Sequence, residues 1–166
     1  KSICDRFKTD RYRIRLLLDK AGRVDISSTI LTKAEEEESQ RVIISKHLTD
    51  SNDPFLFHKT TNRDIYENEY KKYESKGYIE VLFKNEKGEI TEGSRTNLFI
   101  QKDDVYYTPP VGCGLLGGVF RRQFMADNKV IEKVLYEKDL IDADQVYIAN
   151  AVRGIQQVIL PMPRVC

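Results

Sequence analysis

Thr91-Glu92-Gly93-Ser94-Arg95-Thr96-Asn97-Leu98-Phe99 stands near the middle of the chain, and its reading decides the rest. Its end opens the run Leu98 to Gln101, which forms a predicted β-hairpin with Val105 to Tyr107 and is broken by Pro109-Pro110. Upstream, Tyr78 to Phe83 reads as a strand and Asn85-Glu86-Lys87-Gly88 as a hairpin-like turn. Glu92 thus lies at a hairpin edge, just before a turn. The residues alone allow an ordinary edge glutamate or a carboxylate presented to a cleft.

Strand signals recur outward from this point. Tyr12 to Leu18 alternates polar and apolar residues and then becomes wholly apolar, Asp19-Lys20-Ala21-Gly22 reads as a turn, and Val24 to Leu31 as a second strand. Val42 to Ser45 is a short β-branched run, and Asn52-Asp53-Pro54 is turn chemistry. The carboxylate run Glu35 to Glu38 reads as a solvated loop or helix start. From Thr60 to Lys76 the period becomes helical, with Tyr66, Tyr70 and Tyr73 on one face expected to pack in a core or an interface, and Gly77 at the C-cap position. Gly118 to Asp127 is a second predicted helix and Lys138 to Ile141 a single helical turn. Val130 to Tyr136, Val146 to Ala149 and Gln156 to Leu160 are predicted strands. Strands dominate without regular βαβ alternation, so the expected class is α+β, with a mixed, barrel-like sheet and flanking helices.

The 166 residues are 40% hydrophobic and 32% charged, the proportions of a globular chain with a real core. A net charge of +1 gives no electrostatic argument for nucleic acid or membrane binding. The basic start (Lys1, Arg6, Lys8, Arg11, Arg13, Arg15, Lys20) reads as a solvated strand and tail. Cys4, Cys113 and Cys166 are odd in number and lack metal-ligand spacing. They argue against a disulfide framework or a zinc site, and for a reduced, cytoplasmic setting. No apolar run reaches the length of a membrane span, and the start is no signal peptide.

Three further segments carry candidate chemistry. His58-Lys59-Thr60-Thr61-Asn62-Arg63 follows Phe55-Leu56-Phe57, so Lys59 is expected to emerge from a buried strand into a cleft, where burial disfavours the charged ammonium. Taken alone, a surface lysine at a strand end is the commoner arrangement. In Gly114-Leu115-Leu116-Gly117-Gly118-Val119-Phe120-Arg121-Arg122 the glycines allow an anion to approach the backbone, and free N–H groups at the helix start favour phosphate. Asn150-Ala151-Val152-Arg153-Gly154 follows a strand and reads as a plain turn or an anion-binding loop. His47 and His58 have no Ser or Cys partner at a recognisable spacing, which gives a hydrolytic triad little support. Arg63, Arg95 and Arg121 are candidate cations for a carboxylate or a phosphate.

In this order the segments resemble the pyridoxal-phosphate enzymes of fold type IV, the group of branched-chain and D-amino acid aminotransferases and 4-amino-4-deoxychorismate lyase. The wording is most similar to lyase domains fused to aminobenzoate synthase component I, and the likeness runs from Tyr12 to Leu160. It implies pyridoxal phosphate as cofactor, Lys59 as the Schiff-base lysine, and Glu92 as the carboxylate facing the pyridine nitrogen. It further implies Gly118 and Val119 as main-chain phosphate ligands, and Asn150 and Ala151 near phosphate and substrate. Gly117 and Gln157 stand where proline is common in such enzymes, and Ala151 replaces a frequent hydroxyl residue.

The resemblance implies a tail or linker over 1–11, a large C-terminal cofactor-binding domain over 12–160 and a tail over 161–166. Relatives carry a small N-terminal domain with no counterpart found here, so the chain reads as a domain of a longer protein or a shortened relative. The implied activity converts 4-amino-4-deoxychorismate to 4-aminobenzoate and pyruvate in folate synthesis. A class IV aminotransferase and a catalytically incomplete domain are the alternatives. Implied partners are a small-molecule substrate, a second copy in a homodimer, and aminobenzoate synthase component I, fused or separate.

Overall fold

The structure is a computed structural model and describes residues 11–31 and 40–161. The expectations for Glu35 to Glu38, Cys4, Cys166 and most of both tails lie outside the described residues. The chain divides into two compact units, one up to Glu38 and one from Ser39.

The first unit is an antiparallel hairpin of β1 (Tyr12–Leu18) and β2 (Val24–Ile30). Its turn is held by Asp19, whose carboxylate accepts the N–H groups of Ala21 at 2.8 Å and Arg23 at 2.9 Å. Leu16 opposes Ile26 and Leu18 opposes Val24. Residues opposite one another share a face, so the pleat gathers Ile14, Leu16, Leu18, Val24 and Ile26 on one side and Arg13, Arg15, Ser27 and Thr29 on the other.

The second unit is built on β3 (Val42–Thr49), α1 (Asp64–Glu74), β4 (Glu80–Asn85), β5 (Ile90–Gly93), β6 (Asn97–Lys102), β7 (Val105–Thr108), α2 (Val119–Asp127), β8 (Val130–Glu132), α3 (Glu137–Ile141), β9 (Gln145–Asn150) and β10 (Gly154–Val158). The strand order is β10-β9-β6-β5-β4-β3, with β7 beside β6 and β8 beside β7. The β3–β4 and β7–β8 pairs are parallel and the others antiparallel, so the sheet is mixed. Its ends meet: Val42 N–H donates to Ile159 O at 2.9 Å, and Ile159 N–H to Gln40 O at 2.8 Å. The sheet curls into a barrel whose core holds Val42, Leu82, Ile90, Leu98, Ile100, Val146, Ile148 and Val158. The expected α+β class with a barrel-like sheet is what the chain forms.

Both longer helices cover one face of this sheet. Glu92 and Asn97 are register partners, which puts them on the same side as Phe99, two residues on. Phe99 packs on Phe124 of α2, with ring centroids 4.9 Å apart. On β4, Val81 and Phe83 turn to α1, where Tyr66 meets Phe83 at 4.5 Å. Gly77 ends α1 as expected: at φ +78° it lets its own N–H reach Glu74 O at 2.9 Å, while Tyr78 N–H reaches Tyr73 O at 3.2 Å.

Several elements differ from the sequence reading. Phe55-Leu56-Phe57 is no buried strand. Pro54–Phe57 is a 3₁₀ helix without a buried residue, started by the Asp53 carboxylate on Phe55 N–H at 2.9 Å. Helix α1 starts at Asp64 rather than Thr60, because the Thr60 hydroxyl oxygen accepts Asn62 N–H at 3.2 Å and spends that segment on a turn. Strand β3 runs on to Thr49, and β4 starts at Glu80. Strand β8 stops at Glu132, and Leu135 rejoins the sheet by an isolated antiparallel bridge to Ile90, whose N–H donates to Leu135 O at 2.7 Å.

Candidate active site

Glu92 is the electrostatic centre of the helix-covered face. Its side chain is 5% exposed, Oε2 accepts Leu116 N–H at 3.2 Å, and it makes no ion pair within 4.0 Å among the described residues. Burial pushes its carboxyl up to about 8, and the Leu116 hydrogen bond and the positive charge of Arg63 offset only part of that. Burial raises the Tyr66 phenol of α1 and the neighbouring Glu92 charge adds to it, yet the buried hydroxyl makes no hydrogen bond of ordinary geometry. Arg63 lies 4.8 Å above the Tyr66 ring and donates from Nη2 to Ser94 O. The site therefore holds a neutral acid, a buried phenol beside it and a cation on adjoining elements.

The α2 start joins the same face through Asn97, whose Nδ2 donates to Leu116 O at 2.8 Å. Its Oδ1 stands 2.3 Å from where a Cβ on Gly118 would be, so any other residue there has to displace Asn97. Gly118 N–H turns back to Leu116 O at 2.8 Å, and Val119 opens the helix in a largely exposed position. The first-turn N–H groups lack intrahelical acceptors and carry the positive end of the helix dipole, which suits an anion.

Ala149 is the register partner of Asn97, which brings Asn150 and Ala151 to this end of the sheet. The Asn150 side chain is used internally: Oδ1 accepts Val152 and Arg153 N–H, both at 2.9 Å, and Nδ2 donates to Arg95 O at 3.3 Å. It ties the β9–β10 turn to the β5–β6 turn, while Ala151 is exposed and brings no hydroxyl.

Lys59 does not have the buried setting expected of it. It is exposed, between the 3₁₀ helix and α1, four residues before Arg63, and its ammonium makes no ion pair among the described residues. Arg121, a candidate anion ligand, is buried and held by Pro109 O at 2.9 Å and Glu132 Oε1 at 2.6 Å, which makes it a structural cation. Arg95 lies over the Tyr70 ring at 3.8 Å. His58 is exposed, and His47, on β3, is exposed at 3.5 Å from Glu69 of α1.

Among the described residues no group of three or more His, Cys, Asp or Glu side chains could hold a metal ion. An organic cofactor with a basic ring nitrogen and a phosphate fits what is present. Glu92 is a buried acid for the nitrogen, Tyr66 Oη a buried polar atom still to be satisfied, and Gly118 a helix start stripped of side-chain bulk.

The pattern that describes amino-transferase class IV matches residues 3–160. The chain belongs to the class IV aminotransferase family. This is a family of pyridoxal-phosphate-dependent enzymes with the type IV fold. Among curated relatives, a Schizosaccharomyces pombe protein provisionally named aminodeoxychorismate lyase is 26% identical over 92% of this chain and 68% of its own length. The aminodeoxychorismate lyase of Bacillus subtilis is 35% identical over 46% of this chain and 28% of its own. Among solved structures, a provisionally named amino-acid aminotransferase from Mesorhizobium loti is 31% identical with a TM-score of 0.84, covering 90% of this chain and 72% of that one. The 4-amino-4-deoxychorismate lyase of Pseudomonas aeruginosa shares the fold, with a TM-score of 0.72 at 19% identity over 81% of this chain and 53% of that one. The class IV chain thus spans about half or less of several relatives and about two thirds of the longest matches. No described helix is long and apolar enough to cross a membrane.

Two residues at this site carry no functional mark in the sequence. The spacing of Tyr66 marks only a packing stripe, and its hydroxyl beside Glu92 follows from how α1 sits on the sheet. Glu80 under the β5–β6 turn has no sequence signal at all.

Proposed function

We propose that the chain is the cofactor-binding part of a class IV lyase that converts 4-amino-4-deoxychorismate to 4-aminobenzoate and pyruvate. The observation that carries the cofactor half of this reading is the buried Glu92, without an ion pair among the described residues, beside a helix start where a Cβ at position 118 would meet Asn97 Oδ1. The substrate half rests on the likeness to lyases of Schizosaccharomyces pombe and Bacillus subtilis.

Pyridoxal phosphate, when bound, supplies the electron sink that stabilises negative charge on the carbon bearing the amine. Glu92 holds a proton at its carboxyl at neutral pH and can pass it to a basic ring nitrogen, leaving a carboxylate against the cation. Val119 offers its main-chain N–H at the α2 start to the phosphate, while Gly118, whose own N–H is turned to Leu116 O, leaves room for the group, with Asn97 keeping that turn in place. Lys59 would bind the cofactor and then, once free, take the proton from the amine-bearing carbon. The neighbouring carbon–oxygen bond breaks, enolpyruvate leaves and becomes pyruvate, and the ring becomes aromatic. No amino acceptor is consumed.

An aminotransferase using the same residues is the second reading, favoured by the likeness to the Mesorhizobium loti protein. Incubation with ¹⁵N-amino-labelled 4-amino-4-deoxychorismate separates the two. The lyase reading expects pyruvate and labelled 4-aminobenzoate in equal amounts, with no response to added keto acid. Acceleration by a keto acid, with label passing to it, overturns that reading in favour of the aminotransferase.

A further inference from the structure

Glu80 opens β4 and is 2% exposed. It lies under the β5–β6 turn, near enough to Glu92 for its charge to help raise that carboxyl. Its Oε1 accepts Val81 N–H at 2.9 Å, Ser94 N–H at 3.0 Å and the Ser94 hydroxyl. Its Oε2 accepts Arg95 N–H at 3.2 Å and the Thr96 hydroxyl at 2.9 Å. A Cβ on Gly93 would stand 2.9 Å from the Glu80 side chain and 2.3 Å from Thr96 Oγ1, so the glycine that follows Glu92 is required by this packing.

The same contacts fix the opposite side of the turn. In a trans peptide the C=O points away from the N–H, so drawing Arg95 N–H to the Glu80 carboxylate turns Ser94 O outward, and the Thr96 hydroxyl bond anchors the residue that follows the Arg95 carbonyl. Ser94 O accepts Arg63 and Arg95 O accepts Asn150. Arg63 lies on the segment that carries Lys59, and Asn150 holds the loop at 152–153.

We propose that Glu80 is a positioning residue that sets the peptide planes at 94–96 and through them holds Arg63 and Asn150 on either side of Glu92. This rests on the reading of Glu92 as the cofactor carboxylate, but the coupling itself can be tested without cofactor. Glutamine at position 80 keeps the size and sets an amide N–H₂ against the fixed N–H of either Ser94 or Arg95. Glu69 is the control: another buried carboxylate, bonded to Ser45 at 2.7 Å, away from the site.

The experiment is amide hydrogen exchange and pyridoxal-phosphate titration on wild type, Glu80→Gln, Glu69→Gln and the milder Thr96→Val. In Glu80→Gln the amides of Ser94 and Arg95 are expected to lose protection. So are those of Val152 and Arg153, which do not touch Glu80, and cofactor affinity should fall about tenfold or more. Thr96→Val should show the same pattern at a few-fold. Glu69→Gln should leave both readouts unchanged even where it lowers the unfolding temperature. Wild-type protection at 152–153 in Glu80→Gln, or in Thr96→Val if the first variant does not fold, overturns the proposal. If wild type binds no cofactor, the function proposed above fails, and the exchange at 152–153 still decides the role of Glu80.

Discussion

Asn97 Oδ1 occupies the space that a side chain on Gly118 would need, 2.3 Å from the position of its Cβ. One asparagine on β6 therefore fixes the α2 start, since its Nδ2 also holds Leu116 O. Gly118 has φ −59° and ψ 149°, so the glycine is needed for space and not for backbone freedom. Gly118→Ala should push Asn97 aside, lower stability by about 1–3 kcal/mol through overpacking, and weaken pyridoxal-phosphate binding at least about tenfold. Thermal unfolding and a binding titration check both.

The protonation of Glu92 gives a pH signature in the cofactor-free chain. Its folded value of about 8 lies above the ordinary 4.5, so the folded state keeps a proton that the unfolded state loses. This contribution to stability is complete below about pH 4.5 and disappears as pH rises through about 8. Glu92→Gln should leave the unfolding temperature near wild type at pH 5 and raise it relative to wild type at pH 8 to 9. Arg63→Met removes a cation that lowers the Glu92 value, so the fall in stability should finish at higher pH than in wild type. Unfolding temperatures from pH 4 to 9 for the three proteins test this.

Tyr66 separates a packing role from a chemical one. Its ring packs on Phe83, and its buried hydroxyl lacks a hydrogen bond of ordinary geometry. Tyr66→Phe keeps the ring and removes an unsatisfied polar atom, so the cofactor-free protein should be unchanged or more stable by up to about 1 kcal/mol. Cofactor affinity should fall several-fold if the hydroxyl is satisfied on binding. Calorimetry without cofactor and titration with it read the two effects separately.

How far the sequence could be read depends on where each signal resides. The helix α2, the turn at Asn85 to Gly88 and the C-cap at Gly77 rest on local periodicity and glycine chemistry, and they stand where expected. Strand β5 did not show, because Ile90-Thr91-Glu92-Gly93 has one apolar residue and is buried through its neighbours. Phe55-Leu56-Phe57 was misread as a strand, although Asp53-Pro54 ahead of it is an N-cap followed by a proline suited to a helix start. Glu80 left no trace, since four of its five hydrogen-bond donors come from residues 14 to 16 positions away and no spacing announces them. The acidic motif around Glu92 was legible as a pattern. Its burial and lack of an ion pair came only from packing between α1 and the segment before α2.

The central claim is that this chain holds pyridoxal phosphate through Lys59, with Glu92 at the ring nitrogen. Lys59 is exposed, so the most direct measurement is the visible spectrum of the purified protein with pyridoxal phosphate, followed by borohydride reduction and peptide mapping. The account predicts a visible absorption band that borohydride abolishes, with the label fixed on Lys59, and a weaker or shifted band in Glu92→Gln. No band, or label spread over surface lysines at similar levels, would contradict it.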